Sequence, residues 1–304
     1  MPNRVPKQSQ LHVLRATNLS KFRWLVQGFS TRWGGSSRAY GNDALNLGFT
    51  EDDSKAAVDR NRAAFLRELG ADGNSRATGK TPPQGEAKLW PLVSLRQIHS
   101  DIIHYVDAPP KALLAGDGLM TATPGLFLGI QTADCLPIVL VDPQQRAVGV
   151  FHAGWRGTIK RIVEKGGGEM HRRFGSRSRD LRAAIGPGIH GCCYQVGAEV
   201  REKFEGQFSY AAKLFDEVEE RDPVRDKYPM LFLTARPPGH SVLPKNIFLD
   251  LVEANRQQLL AAGVPTRNIE ASPLCTNCRP DLLFSYRAEK GSTGRMMAAV
   301  GIRK

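Results

Sequence analysis

Cysteine is scarce: the 304 residues contain five, Cys135, Cys192, Cys193, Cys275 and Cys278. Five cannot all pair, and so low a density does not make a disulfide scaffold, which points to a reducing compartment and by default to the cytoplasm. Long apolar runs are also missing. No uncharged apolar stretch reaches the roughly 18 residues that a spanning helix needs, so no membrane partner is expected. The N-terminal residues scatter Arg4, Lys7, Arg15 and Lys21 among polar side chains, without the apolar core of a secretory signal. Acidic residues are in deficit, 30 Asp+Glu against 42 Lys+Arg, which leaves a formal charge of +12. The surplus is spread along the whole chain. Its densest stretch, 172–182 (RRFGSRSRDLR), lacks the interleaved aromatics of a stacking platform, so nucleic acid is not the expected partner. A diffuse positive field suits a phosphate-bearing small molecule instead.

Missing motifs narrow the chemistry further. There is no G-x-x-x-x-G-K-[ST], which excludes P-loop phosphate binding. The H-x-E and P-C-x-x-C pair of the nucleobase deaminases is also missing. A multicopper oxidase needs about ten histidines with several H-x-H pairs. This chain has seven histidines and no H-x-H.

What is present reads as a folded α/β or α+β chain. Short apolar runs bounded by turn residues predict strands over 24–30, 89–97, 102–106, 126–131, 137–141, 147–151, 182–185 and 247–250. Helical periodicity covers 53–69, 158–174, 196–204 and 249–262. The first of these follows Asp52-Asp53-Ser54 and stops at Gly70, a capped start and a glycine stop. Segments 73–88 and 221–245, the second with five prolines, read as surface loops. Strand signals continue on both sides of each without a composition shift, so residues 1–304 are expected to form one layered domain.

Three reactive side chains fall at the ends of apolar strands: His99 in SLRQIHS, Cys135 in LGIQTADCLPIVLVD and His152 in VGVFHAGWRGT. A thiolate and two imidazoles make a tetrahedral zinc set with the fourth position left for water. Spacings of 36 and 17 residues match no compact finger, and three half-polar core residues would look the same. Around His152, the run HAGWRGT joins a strand to a helix through Gly154 and Gly157; it reads either as an anion-binding turn with Arg156 as a fork or as an ordinary βα turn. Asp117, in the tight turn GDGLMT, is either a general acid/base or a turn-former, and its composition favours the turn. Cys275-Thr276-Asn277-Cys278 is a lone C-x-x-C of structural type, and Cys192-Cys193 reads as packing.

Taken together, ten ordered blocks resemble the YfiH-like family, long labelled laccase domain or polyphenol oxidase. They are GFSTRWGGSS (28–37), NLGF (46–49), VDRNR (58–62), RQIHS (96–100), GDGLMT (116–121), TADCLPIVLVD (132–142), HAGWRGT (152–158), IGPGIHGCCYQVGAEV (185–200), FLDL (248–251) and FSYRAEKGSTGR (284–295). The two loops, 73–88 and 221–245, stand out as rim insertions against this pattern. The resemblance implies a layered α/β/β/α domain with mixed sheets, an arrangement shared with a toxin deamidase that uses a cysteine and a histidine. It also implies a purine nucleoside phosphorylase acting on inosine, guanosine, adenosine and 5′-methylthioadenosine with phosphate, and able to deaminate adenosine. Carried over by position, His99, Cys135 and His152 hold a catalytic Zn2+ and Arg62 faces the substrate pocket. Ser30, Arg32, Gln97, Asp134, Arg156 and Arg287 fall near it as substrate-binding residues. A metal-free cysteine hydrolase with Cys135 as nucleophile and His99 or His152 as base is the alternative. A copper phenol oxidase is the weaker one, on histidine supply. A monomer is expected.

Overall fold

The computed structural model describes residues 11–71, 89–219, 227, 228, 230 and 245–304. The loop at 73–88 lies outside them, as does nearly all of 221–245. Two mixed sheets, with strands numbered in chain order, carry the architecture. The first runs β1 (Val13–Leu14), β2 (Leu25–Ser30), β15 (Met296–Ile302), β7 (Phe127–Thr132) and β4 (Leu92–Ser94). The second runs β14 (Ile269–Ala271), β10 (Arg182–Ile185), β8 (Leu136–Asp142), β9 (Ala147–Ala153), β6 (Gly118–Thr121) and β5 (Ile103–Tyr105). A smaller antiparallel sheet orders β11 (Gln195–Val196), β13 (Lys245–Leu249) and β12 (Phe215–Glu219). Among the described strands, parallel pairing joins β4 with β7, β5 with β6, and β10 with β14. β3 (Trp33–Ser37) stands apart and packs on helix α1 (Lys55–Leu69).

Side-chain parity along the central strands explains why the sheets stack. In β8, Leu136, Ile138 and Leu140 pack with Ile162, Met170, Leu251 and Leu259 of the helices α3 (Ile162–Phe174) and α5 (Leu251–Ala261), in a cluster that also takes Val200 and Phe204 of α4 (Ala198–Glu205). The alternate residues Val139 and Val141 join Val148 and Val150 of β9 against Leu128, Ile130, Ala298 and Val300 of the first sheet. That sheet turns Val26, Phe127, Met297 and Ala299 to Phe65, Leu66 and Leu69 of α1. The layers are therefore α/β/β/α. Both faces of each central strand are covered, which is why these strands read as continuous apolar runs and not as alternating ones. Helix α3 comes close enough to the second sheet that a Cβ on Gly166 would sit 2.5 Å from the Phe151 ring. No described helix is long and apolar enough to cross a membrane.

Helix α1 begins at the Ser54 cap, whose side chain accepts the Ala57 N–H, and ends at left-handed Gly70, as its sequence predicts. Elsewhere the predictions need correction. The helix expected over 158–174 is two, α2 (Trp155–Ile159) and α3, because Arg161 adopts a left-handed φ of 61° between them. The strand expected over 89–97 is only Leu92–Ser94, since residues 95–102 leave the sheet as a loop. β15, which sits between β2 and β7, was not foreseen. Its sequence, MMAAVGI, has no period-two alternation and is rich in helix formers, and burial on both faces overrides that propensity. β6 was hidden in the same way inside the GDGLMT turn.

Candidate functional site

Three segments meet where the two sheets come together. Cys135 lies on the turn that carries the chain from β7 of the first sheet to β8 of the second. His152 is near the end of β9, on the same face as Val148 and Val150, and is buried. His99 is on the exposed loop after β4. One ligand atom from each of the three lies within 4.8 Å of the others, and the imidazole centroids are 4.9 Å apart at 70°. Gly154 makes the approach possible: a Cβ there would stand 2.7 Å from the Cys135 sulfur and 3.4 Å from His99 Cδ2. The glycine of the HAGWRGT turn is thus required for clearance at the sulfur. Helix α2 is held from behind by α5, where Asn255 and Gln258 donate to the Thr158 Oγ1 and carbonyl.

Asp117 organises this cluster. Fully buried, it accepts His152 Nδ1–H at 2.8 Å and the His99 backbone N–H at 3.1 Å on Oδ1. On Oδ2 it accepts the N–H and Oγ–H of Ser100, at 2.6 and 2.7 Å, and the Ile98 N–H at 3.3 Å. The turn-former reading of this residue is therefore too modest. It fixes the His152 tautomer, turns Nε2 toward Cys135, and holds the loop that presents His99 at a left-handed φ of 56°. Burial works against its ionisation, but the bonds from His152 and Ser100 prevail and hold its carboxyl down to about 2. Burial likewise opposes charge on Cys135 and His152, yet each stabilises the other. The thiol is held down to about 6 by His152 and His99, and the imidazole is pushed up to about 9 by Cys135 and Asp117.

Above the cluster opens a cleft of about 660 Å³. Three arginines line it, each over an aromatic neighbour: Arg156 over Trp155 at 4.5 Å, Arg287 over Tyr194 at 5.6 Å and Arg295 over Tyr286 at 5.8 Å. Among the described residues, Asp134 is the one carboxylate in the lining, and its oxygens are engaged. Oδ1 accepts Thr276 Oγ1–H at 2.6 Å and Ser285 Oγ–H at 2.7 Å, and Oδ2 accepts the Arg287 N–H at 2.7 Å. The cleft is therefore cationic at its walls and aromatic on its surfaces, a match for an anion joined to a flat ring. Tyr194 presents a neutral phenol, since burial and then the Cys135 charge push its ionisation up.

Of the residues singled out in the sequence, Gln97, Asp134, Arg156 and Arg287 line this cleft with the three donors. The Gln97 amide is spent on β7, donating to the Gln131 carbonyl and accepting its N–H, both at 2.8 Å. Three others do not line the cleft. Buried Ser30 accepts the Met297 N–H within the first sheet. Arg32 is sequestered by the carbonyls of Pro280 and Tyr40 and the Glu289 carboxylate. Arg62 lies behind the Leu47–Phe49 turn, donating to the Leu47 carbonyl at 2.9 Å with its guanidinium 4.2 Å from the Phe49 centroid. Its Nη2 has no hydrogen-bond partner among the described residues, and burial lowers its pKa to about 10. Sequence reasoning missed Gln131, Trp155, Tyr194, Tyr286 and Arg295 as lining. For Trp155 and Tyr286 the signal was there, an aromatic directly before Arg156 and Arg287; Gln131 gave none.

The donor set suits a metal ion. A soft thiolate and two imidazoles converge, and His152 donates its second ring nitrogen to a buried carboxylate in the carboxylate–histidine arrangement that supports metal-bound imidazoles. His99, Cys135 and His152 form a possible metal-binding site.

Known proteins match this chain over most of its length. The chain is 35% identical to a purine nucleoside phosphorylase of Deinococcus radiodurans over 96% of this chain and 93% of that one. It is 33% identical to adenosine deaminase RL5, from an unknown prokaryotic organism, over 90% and 93%. In three dimensions it is similar to the crystal structure of Bacillus licheniformis hypothetical protein YfiH, with a TM-score of 0.75, 30% identity and 97% of each chain covered. Residues 26–303 match the family model described as multi-copper polyphenol oxidoreductase laccase, and the chain belongs to that family, the YfiH-like proteins.

Proposed function

We propose that the protein is a zinc-dependent purine nucleoside phosphorylase, acting on inosine, guanosine, adenosine or 5′-methylthioadenosine, with adenosine deaminase activity. The observation that carries this reading is the joining of one cysteine and two histidine donors to a cleft with three arginines and three aromatic rings. The names of the relatives support the same reading. His99, Cys135 and His152 would hold the zinc, which when bound supplies a Lewis acid at the cleft floor. In phosphorolysis a phosphate oxygen bonds to ribose C1′ as the C–N bond to the purine breaks, and the base leaves with the electron pair. Arg156, Arg287 and Arg295 bind the phosphate, while Trp155, Tyr194 and Tyr286 offer faces for the base and Tyr194 an O–H donor. In deamination water adds at purine C6 and ammonia departs, so the base must enter with C6 toward the donor cluster. Arg62 is a positioning residue in this scheme, since it supports the Leu47–Phe49 turn from behind.

Inosine with phosphate should yield hypoxanthine and ribose 1-phosphate, and adenosine should yield inosine and ammonia. Cys135→Ala should abolish both; unchanged product in that variant refutes the assignment.

One specific feature favours a second reading. Cys135, His152 and Asp117 also form a thiol–imidazole–carboxylate series in which the base is oriented by a buried acid, the arrangement of a cysteine nucleophile. Metal content separates the two. Protein with no zinc on His99, Cys135 and His152, yet alkylated at Cys135 by an amide-directed electrophile and active without added metal, belongs to the hydrolase.

A further inference from the structure

Four cysteines take no part in the chemistry above, and they come from two loops far apart in sequence. Cys192 and Cys193 lie between β10 and β11, and Cys275 and Cys278 follow β14. The fold brings all four sulfurs within 4.8 Å of one another. Cys192 Sγ is 3.6 Å from the sulfurs of both Cys193 and Cys278, and Cys193 Sγ is 3.3 Å from Cys278 Sγ. All four are free thiols. A disulfide requires about 2.05 Å between sulfurs, well short of these separations. Zinc–sulfur bonds of about 2.3 Å place tetrahedral sulfurs about 3.8 Å apart, close to the spacing seen. An iron–sulfur cluster sets a cage of atoms between its thiolates, for which sulfurs this near leave no room.

Backbone geometry supports a ligand role. Buried Cys275 accepts the N–H groups of His190, Asn277 and Cys278 on its sulfur, so the C-x-x-C turn wraps its first sulfur in donors from its own backbone and from the opposite loop. Such bonds orient a thiolate and offset its charge. We propose that Cys192, Cys193, Cys275 and Cys278 bind a structural zinc ion in a closed four-thiolate site, separate from the His99–Cys135–His152 cluster.

The consequence reaches the cleft. The two loops are bridged at Gly188 and Cys275, where the Thr276 N–H donates to the Gly188 carbonyl at 3.0 Å. Both also grip Asp134, through the Thr276 hydroxyl on its carboxylate and the Ile189 N–H on its carbonyl at 2.7 Å. Tyr194 directly follows Cys193, and Arg287 donates to the Gln195 carbonyl at 3.0 Å. A zinc ion clamping the loops therefore braces the cleft wall that carries Tyr194 and Arg287 and the residue preceding Cys135.

The test is metal content combined with thiol protection in the full-length protein. A Cys135→Ser/His152→Ala variant, stripped of donors at the cleft, should still retain one tightly bound zinc per chain, and Cys192→Ser/Cys278→Ser should lose one relative to the parent. Zinc absent from the first variant, or undiminished in the second, overturns the proposal. Should the second variant fail to fold, the unmutated chain decides. Cys192 and Cys278 are exposed, so iodoacetamide should alkylate them about tenfold faster or more after chelation than before. Equal rates before and after chelation refute the site, as does a zinc-free purified protein carrying a disulfide among the four.

Discussion

Replacing Asp117 by asparagine tests the electrostatic core of the site with almost no change in shape. The carboxylate receives five donors, two on Oδ1 and three on Oδ2. An amide has one accepting oxygen, so one of the two groups must face an NH2. If the NH2 points toward Ser100, the N–H groups of Ile98 and Ser100 lose their acceptor and only the Ser100 hydroxyl can rotate to compensate. If it points toward His152, the imidazole must become the other tautomer, which places a hydrogen on Nε2 and removes a lone pair from the metal-ligand position. Either way the negative charge beside His152 is gone. Bonds to charged groups are worth about 1.5–3 kcal/mol each, and removing one partner of a buried pair costs about 3–5 kcal/mol. We therefore expect Asp117→Asn to lose about 3–5 kcal/mol of unfolding free energy in urea and to bind zinc about 10–100-fold more weakly. Urea denaturation with a parallel competition titration against a chromophoric chelator measures both. A variant within a factor of two of the parent in zinc affinity, and within 1 kcal/mol in stability, would mean that Asp117 neither orients His152 nor anchors the His99 loop.

Gly154→Ala places a methyl 2.7 Å from the Cys135 sulfur, so the thiolate must move. A displacement of this kind should cost about 10²-fold in turnover, with the far-ultraviolet circular dichroism unchanged, and parental turnover refutes the clearance argument. In metal-stripped protein the Cys135 thiolate absorbance should rise with a midpoint near pH 6, not near 9, and the transition should vanish in Cys135→Ser. The linked stabilities have opposite signs. The Cys135 contribution is complete above 9.0 and is lost as pH falls to about 6, whereas that of His152 is complete below 6.5 and is lost as pH rises to about 9. Between about 6.5 and 9 the two slopes cancel, so this pair should leave the melting temperature of the stripped protein level there. Arg156→Ala should raise the KM for phosphate about 10–100-fold, the worth of a charge-assisted bond, while the KM for the nucleoside moves less. Equal shifts in both would place Arg156 against the base.

Much of this was legible in the chain, and the gaps have physical reasons. Helix α1 announced itself because Ser54 and Gly70 are local signals, as were the apolar runs of β7, β8 and β9. β15 did not, since its strand state comes from two neighbours and two covered faces rather than from its own residues. At the site, His99, Cys135 and His152 could be picked out because strand ends deliver side chains to a common edge, but only the fold shows their atoms meeting. Asp117 could not be separated from an ordinary turn aspartate: its role depends on three N–H groups and an imidazole brought from residues 98–100 and 152. Arg32 and Ser30 show the opposite failure, in which block membership suggested the cleft while burial committed them to the framework.

The strain in the backbone ties these observations together. Two residues without the freedom of glycine sit at positive φ beside the donors: His99 itself at 56° and Asp134, the neighbour of Cys135, at 91°. Each such conformation costs on the order of 1–3 kcal/mol and persists only where the surroundings fix it more than once. At His99 the fixing agent is Asp117, which takes the N–H groups of three consecutive residues. At Asp134 it is the set of donors from Thr276, Ser285 and Arg287. Two carboxylates outside the donor set thus hold the two strained turns in place. Thr276, one of the donors on Asp134, lies inside the C-x-x-C turn, so the four-cysteine site and the cleft donors share a single hydrogen-bonded frame. Loosening the cysteine clamp should therefore be felt at Cys135 through Asp134, and the Cys192→Ser/Cys278→Ser protein should show a raised KM for phosphate even with the cleft donors intact.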